Sequence, residues 1–405
     1  MRERLVRVAG GMMKSLSRTA YLCVANDVKQ GSSRCLSSVA EPKQSNLRQV
    51  FRTSEDDPRA HTLDHVGLFY KIPETEVNSM FKGCIHPWHL RLMNTFNEHC
   101  LMVRKPSVEV NGYLKNMNFN HPVPKFVYYG RRGAGKVCSL LHTMHFCARN
   151  DWIMVHVPWA GQWVRGWNKE VAESTHKPGR FDLPMDAAEW LSHFRIQNQN
   201  KLKDLKTTSE YIWTKREKAD VGTPLDEIIN FGLNRFKFSS DCVGVLLKEL
   251  RLQAAEKGFK VLVAINSVNS FFVPWSKENT LKNSEKKQVL PHEVSLVHNF
   301  KKMLSPTWNN GAVVCTVNEG SNDQSLREDY TPQYLLGQEG FEWFDPFVPI
   351  LVPEYSSTEA LSCLSYYIDR NWIQNEHGRT EEGMKEIMFV SNRNPFNLYK
   401  VCSSL

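Results

Sequence analysis

The sequence predicts an α/β fold: a mostly parallel sheet with helices on both faces, preceded by an N-terminal helical extension and followed by a C-terminal helical lid. Three observations carry that expectation. Five short β-prone runs, at 126–129, 152–157, 260–265, 312–317 and 347–352, are largely apolar without alternation, as in strands covered on both faces. Helical patterns lie between these runs, and β alternating with α gives a parallel sheet. Between the first run and an amphipathic helix stands Gly130-Arg131-Arg132-Gly133-Ala134-Gly135-Lys136-Val137, a G-x-x-x-x-G-K sequence.

Composition bounds the rest. A chain of 405 residues, 41% hydrophobic and 23% charged, is long enough for a sizeable core and for more than one domain, and is not disordered throughout. No apolar run approaches the ~20 residues of a membrane-spanning helix. Ten cysteines without a CxxC pair or a tight Cys/His cluster argue against a zinc module or a disulfide scaffold and for free thiols. Residues 1–36 hold seven Lys/Arg and two acids, so only +3 of the formal +8 belongs to the remainder. This leader is Arg-rich, Ser-bearing and amphipathic, the make-up of a mitochondrial transit peptide; Arg34 shortly before Ser37 suits a matrix protease, and the expected location is the mitochondrial matrix.

Residues 37–120 read as an extended polar arm followed by the helical extension. Pro87 opens a helical pattern through Leu90, Leu92, Met93, Phe96 and Met102, and Pro106 is expected to close it. Residues 121–352 form the α/β core. Within it, Asp241 is expected to cap a helix through Val243, Leu246, Leu247 and Leu250 that stops at Gly258, and Pro291 to open another through Val294, Val297 and Met303. The stretch near 159–222, with Trp159, Trp163, Trp167, Trp190 and Trp213, reads as a helical insertion. Residues 353–405 form the lid: Ser356 and Glu359 make a capping box, and Thr380 starts a second helix.

The glycine-rich loop carries the chemistry. A loop that leaves a strand, wraps its N–H groups inward and feeds a helix N-terminus cradles phosphates. The predicted nucleotide-binding residues are Gly130, Arg131, Arg132, Gly133, Ala134, Gly135, Lys136, Val137 and Cys138, with Lys136 toward the outer phosphates. The eighth position, which ordinarily supplies a hydroxyl to Mg²⁺, is Val137. Ser139 cannot replace it, because two residues turn the helix by ~200°. The strand 260–265 is followed by Asn266 where an acid would face the metal, and by Ser267 where many ATPases place a glutamate. No catalytic residue, no protein metal site and no base are evident, so binding without turnover is expected, with Mg²⁺ in doubt.

The chain resembles the death-associated protein 3 family of the mitochondrial small ribosomal subunit. The resemblance rests on segments 100–106, 145–148, 245–250 and 262–264, on the phosphate loop, on 335–337 with 340–341, and on 345–352, 380–383 and 391–395. It implies a P-loop NTPase core of the AAA or STAND type with a helical lid, a place in the subunit head near the intersubunit face, and GTP or GDP as a structural cofactor. Family members commonly carry Thr at position 137 and Asp at 266. The resemblance further implies that Asn318 stands where such folds place a polar sensor, and that Asn394-Pro395 is a lid turn near the base. The implied partners are small-subunit rRNA and ribosomal proteins, and the large subunit across an intersubunit bridge; no membrane is involved. A role in cell death is implied by the family name alone.

Two segments are locally basic, 201–218 and 277–287; each is either a phosphate-backbone contact or a solvated surface. The tryptophans of the insertion are either partner contacts or core. His142 and His145 lie three apart, but further ligands for a metal are missing. Two readings compete with the non-hydrolysing ribosomal component: an active GTPase or ATPase switch in mitochondrial signalling or apoptosis, and a scaffold whose loop binds nothing.

Overall fold

The computed structural model describes residues 50–404 except 82, 84, 167–168, 274–278 and 323–328. The expected transit peptide and Trp167 lie outside the described residues. The chain runs through β1 (Phe69–Lys71), α1 (Glu74–Met80), α2 (Pro87–Phe96), β2 (Cys100–Met102), α3 (Lys105–Asn116), β3 (Lys125–Tyr129), α4 (Lys136–Arg149) and β4 (Ile153–Val157). Between 159 and 222 come two short hairpins, β5 (Ala172–Glu173) with β6 (Phe181–Asp182) and β7 (Tyr211–Ile212) with β8 (Lys218–Ala219), and one long helix, α5 (Pro184–Asn198). There follow α6 (Leu225–Asn234), α7 (Ser239–Lys257), β9 (Val261–Ile265), α8 (Ser295–Met303), β10 (Gly311–Thr316), α9 (Pro332–Phe344), β11 (Val348–Leu351), α10 (Ser357–Asp369), α11 (Glu381–Val390) and α12 (Pro395–Cys402).

Five strands form one parallel sheet in the order β11-β3-β10-β9-β4, a P-loop NTPase-like α/β fold. After β3 the chain crosses to the far edge, so β3 keeps β10 and β11 as neighbours. The loop leaving β3 therefore opens beside the C-terminal ends of β10 and, one strand further, β9, the crevice where open α/β sheets bind ligands. Residues of β4, β9 and β10 are buried throughout. One apolar cluster packs the face toward α5–α8, a second packs the other face with α3 and α4, and a third joins α2 and β2 to the lid helices.

Several local expectations are corrected. Asn97, in the left-handed region at φ 50, ends α2, and Pro106 opens α3 rather than closing a helix; proline suits a first turn because its missing N–H has no helical partner there. Met102 belongs to β2, paired antiparallel with β1. Asp241 sits inside the first turn of α7, without a capping hydrogen bond, while Gly258 ends that helix as expected, in the left-handed region. Pro291 opens a 3-10 turn, and α8 restarts at Ser295. β11 is an edge strand: Val348 and Leu351 are 40% and 45% exposed, so its apolar run is not covered on both faces.

Candidate nucleotide-binding site

β3 delivers the loop and α4 receives it. Gly135, at φ 100, starts α4, and among the described residues no side chain caps that N-terminus, which leaves the helix end to an anion. Two glycines are required sterically. A Cβ on Gly130 (φ 138) would stand 2.3 Å from the Val352 carbonyl oxygen, and one on Gly133 (φ 83) 2.5 Å from Asn394 Oδ1.

The loop is fixed from two sides. Arg104, buried at the end of β2, donates from Nη1 to Ala134 O (3.1 Å), from Nη2 to Pro353 O (2.9 Å) and from Nε to Glu359 Oε1 (2.7 Å). One guanidinium thus joins the N-terminal extension, the loop and the lid. From the lid, Asn394 Nδ2 donates to Arg132 O (2.9 Å) and the Phe396 amide to Gly133 O (3.3 Å).

Lys136 Nζ donates to the loop's own Gly130 and Arg131 carbonyls (2.5 and 3.0 Å). Burial pulls its ammonium down to about 8, against the fields of Glu319 and Glu354, which raise it. Neither glutamate is evident from sequence. Glu319 follows the strand-end Asn318, and its Oε1 is buried without a hydrogen-bond partner among the described residues. Asn266 is fully engaged at the end of β9: Nδ2 donates to Pro158 O (2.8 Å), and Oδ1 accepts from Thr316 Oγ1 (2.6 Å). Thr316, also missed by the sequence reading, takes the Ser267 amide as well (2.9 Å). The Asn318 backbone is held by the Asn269 side chain, whose Nδ2 donates to Asn318 O and whose Oδ1 accepts from Asn318 N, while Asn318 Oδ1 caps its own turn by accepting from Gly320 N.

A cavity of about 770 Å³ unites the predicted positions Arg132, Gly133, Gly135, Lys136, Val137 and Cys138 with Asn266, Asn318 and Pro395. Three others stand apart from it. Ala134 is buried in the core, Gly130 is pressed against Val352, and Arg131 points outward to Glu354 (3.7 Å). The donor set fits a polyphosphate: uncapped helix amides, a buried lysine and a glycine cradle. It does not fit Mg²⁺ at the usual positions, since Val137 has no oxygen and the Asn266 amide is held by β10 and Pro158.

His142 and His145 do not point into the cavity. His142 bonds Ser107 Oγ (2.7 Å) and His61 (2.8 Å), and His145 bonds Tyr70 OH (3.1 Å) and Glu76 (2.8 Å). They fasten the extension to α4, and burial keeps both imidazoles below their ordinary pKa. Two locally basic segments are partly neutralised: Lys218 pairs with Glu210 and Asp220, Lys287 with Glu285, and Lys201 is tied to Trp152 O (2.6 Å).

Residues 101–401 match the family described as Mitochondrial ribosomal death-associated protein 3. Over 358 residues, 88% of the chain, the sequence is 43% identical to "Small ribosomal subunit protein mS29" of Mus musculus and 42% identical to that of Bos taurus, covering 90% and 89% of those proteins. Among solved structures, a chain of the E. coli MS115-1 HORMA:CdnC:Trip13 complex aligns over 82% of each chain at 10% identity with a TM-score of 0.29. The chain belongs to the death-associated protein 3 family.

Proposed function

We propose, with that family membership as premise, that the chain is a structural component of the mitochondrial small ribosomal subunit, in the matrix. In this reading it holds a guanine nucleotide in the cavity above β3 and hydrolyses it little or not at all. Its relatives carry the name of a small ribosomal subunit protein, and the proposed neighbours are small-subunit rRNA and proteins, with the large subunit across a bridge. The observation that carries the nucleotide part is the pairing of an intact phosphate grip with Val137 and a committed Asn266. The loop amides and Lys136, released from the Gly130 and Arg131 carbonyls, would hold the phosphates. When bound, the nucleotide supplies negative charge that ties β3, α4 and the lid turn together; guanine follows the family resemblance.

The active-switch reading has one observation in its favour, the Glu319 carboxylate near Lys136. Without metal-side groups, that acid faces a γ-phosphate whose developing charge lacks its usual stabiliser.

The test is gradient sedimentation of the tagged chain from mitochondria, followed by mass spectrometry of nucleotide released from the small-subunit fraction. Co-migration with the small subunit and about one guanine nucleotide per chain, lost in Lys136→Ala, is expected. A chain that stays at the top of the gradient overturns the ribosomal placement. A co-migrating chain without nucleotide overturns the cofactor.

A further inference from the structure

The basic segments visible in the sequence are partly neutralised in the fold, yet the fold builds a cationic surface that no single segment contains. The β5–β6 hairpin is joined to the start of α8 by a bridge between Phe181 and Val294, and α8 packs along α7. This packing brings Lys177 and Arg180 of the hairpin beside Lys302 of α8 and Lys248 and Arg251 of α7. Arg251 Nη1 donates to Lys302 O (3.3 Å), while its Nε is buried without a hydrogen-bond partner among the described residues. Among the described residues, none of these five cations is ion-paired to a carboxylate. Lys301, the neighbour of Lys302, is paired with Glu339 (2.7 Å).

The mutual repulsion is registered at two groups. The ammonium of Lys302 is pulled down by burial and by the charges of Arg180, Arg251, Lys177 and Lys248. His298, one turn earlier on α8, is pushed down to about 4 by burial and by Arg180, Lys302, Lys177 and Lys301. Burial draws Asp182, which feels the Arg180 charge, toward neutrality, and burial with the Asp182 charge raises Asp241 to about 6.

We propose that the surface formed by Lys177, Arg180, Lys248, Arg251 and Lys302 is a docking site for RNA phosphate backbone. Like charges gathered from three segments cost folding energy unless an anion meets them. A half-buried guanidinium flanked by exposed, flexible ammonium groups suits phosphate oxygens, which accept several donors at once. Such contacts position the chain on RNA without reading bases. The partner class rests on the ribosomal reading above; the cluster itself does not.

The test uses the full mature chain, a fluorescein-labelled RNA hairpin and fluorescence anisotropy across a salt series. Lys177→Ser, Lys248→Ser and Lys302→Ser together remove three exposed charges. The control removes three from the sequence-basic segments, Lys203→Ser, Lys215→Ser and Lys282→Ser. The expected result is a fall of about three in the slope of log affinity against log salt for the first variant, with little change for the control. Equal slopes in wild type and the first variant overturn the site, as does tighter binding to phosphatidylserine vesicles or to an acidic peptide than to RNA. Gradient sedimentation of the same variants separates the two claims. A wild-type chain that binds RNA through the cluster but never co-migrates with small subunits overturns the ribosomal reading alone. A co-migrating chain with unchanged slopes overturns the cluster alone.

Discussion

Replacing Arg104 with methionine would disconnect three parts of the chain at one point. Its guanidinium and the Glu359 carboxylate are 4% and 8% exposed as side chains, 2.7 Å apart, and Glu359 also accepts the Ser356 amide of its own capping box (2.8 Å). Removing one member of a buried pair leaves the other charge uncompensated and costs about 3–5 kcal/mol, a large part of the roughly 5–15 kcal/mol that holds a folded domain. The second substitution, Glu359→Gln, removes the stranded charge while keeping an acceptor for Ser356, and should restore about 2 kcal/mol. Neither variant restores the donor to Ala134 O, so nucleotide binding should stay weakened in the double variant. Denaturant unfolding followed by tryptophan fluorescence gives the stabilities, and titration with a fluorescent guanine nucleotide gives the affinities. A loss below about 1 kcal/mol in Arg104→Met, the range of an exposed pair, or a double variant no more stable than the single, would refute this account of the tie.

Gly133→Ala should loosen the lid, because its Cβ meets Asn394 Oδ1 at 2.5 Å and φ 83 is unfavourable for alanine. A cost of about 2 kcal/mol and faster proteolysis of the C-terminal helices are expected; an unchanged digestion pattern would contradict the contact. Acid should destabilise the chain through His142 and His156, whose imidazoles burial holds well below their ordinary pKa. The unfolded chain takes up those protons near pH 6.5, so stability is complete above that value and falls below it, by about 2 kcal/mol per histidine at pH 5; His142→Gln should flatten the pH dependence, and an unaltered slope would count against it. Val137→Thr with Asn266→Asp should make nucleotide affinity depend on Mg²⁺ by roughly tenfold, measured by calorimetry with and without chelator.

The sheet and the phosphate loop were readable because each is a local pattern: apolar runs of strand length, and glycines at fixed offsets before a lysine. What the sequence could not supply were partners remote in the chain. Arg104 and Glu359 are separated by 255 positions. Thr316 became part of the site because the strand order places the end of β10 beside the loop. Pro106 is ambiguous in sequence because proline both ends and begins helices, and the β1–β2 ladder decides between them. The apolar run of β11 resembles a central strand, but its position at the sheet edge is a property of topology. Counting lysines along the chain likewise found 201–218 and 277–287, whereas the unpaired cations come together only when the β5–β6 hairpin, α7 and α8 pack.

The central claim is a phosphate grip that works without the usual metal-side residues, and the most direct measurement is guanine nucleotide binding and turnover by the mature chain with Mg²⁺ and with a chelator. The account predicts similar affinity in both conditions, loss of binding in Lys136→Ala, and no multiple-turnover release of phosphate. An affinity that collapses when the metal is removed, or sustained phosphate release abolished by Glu319→Gln, would contradict it.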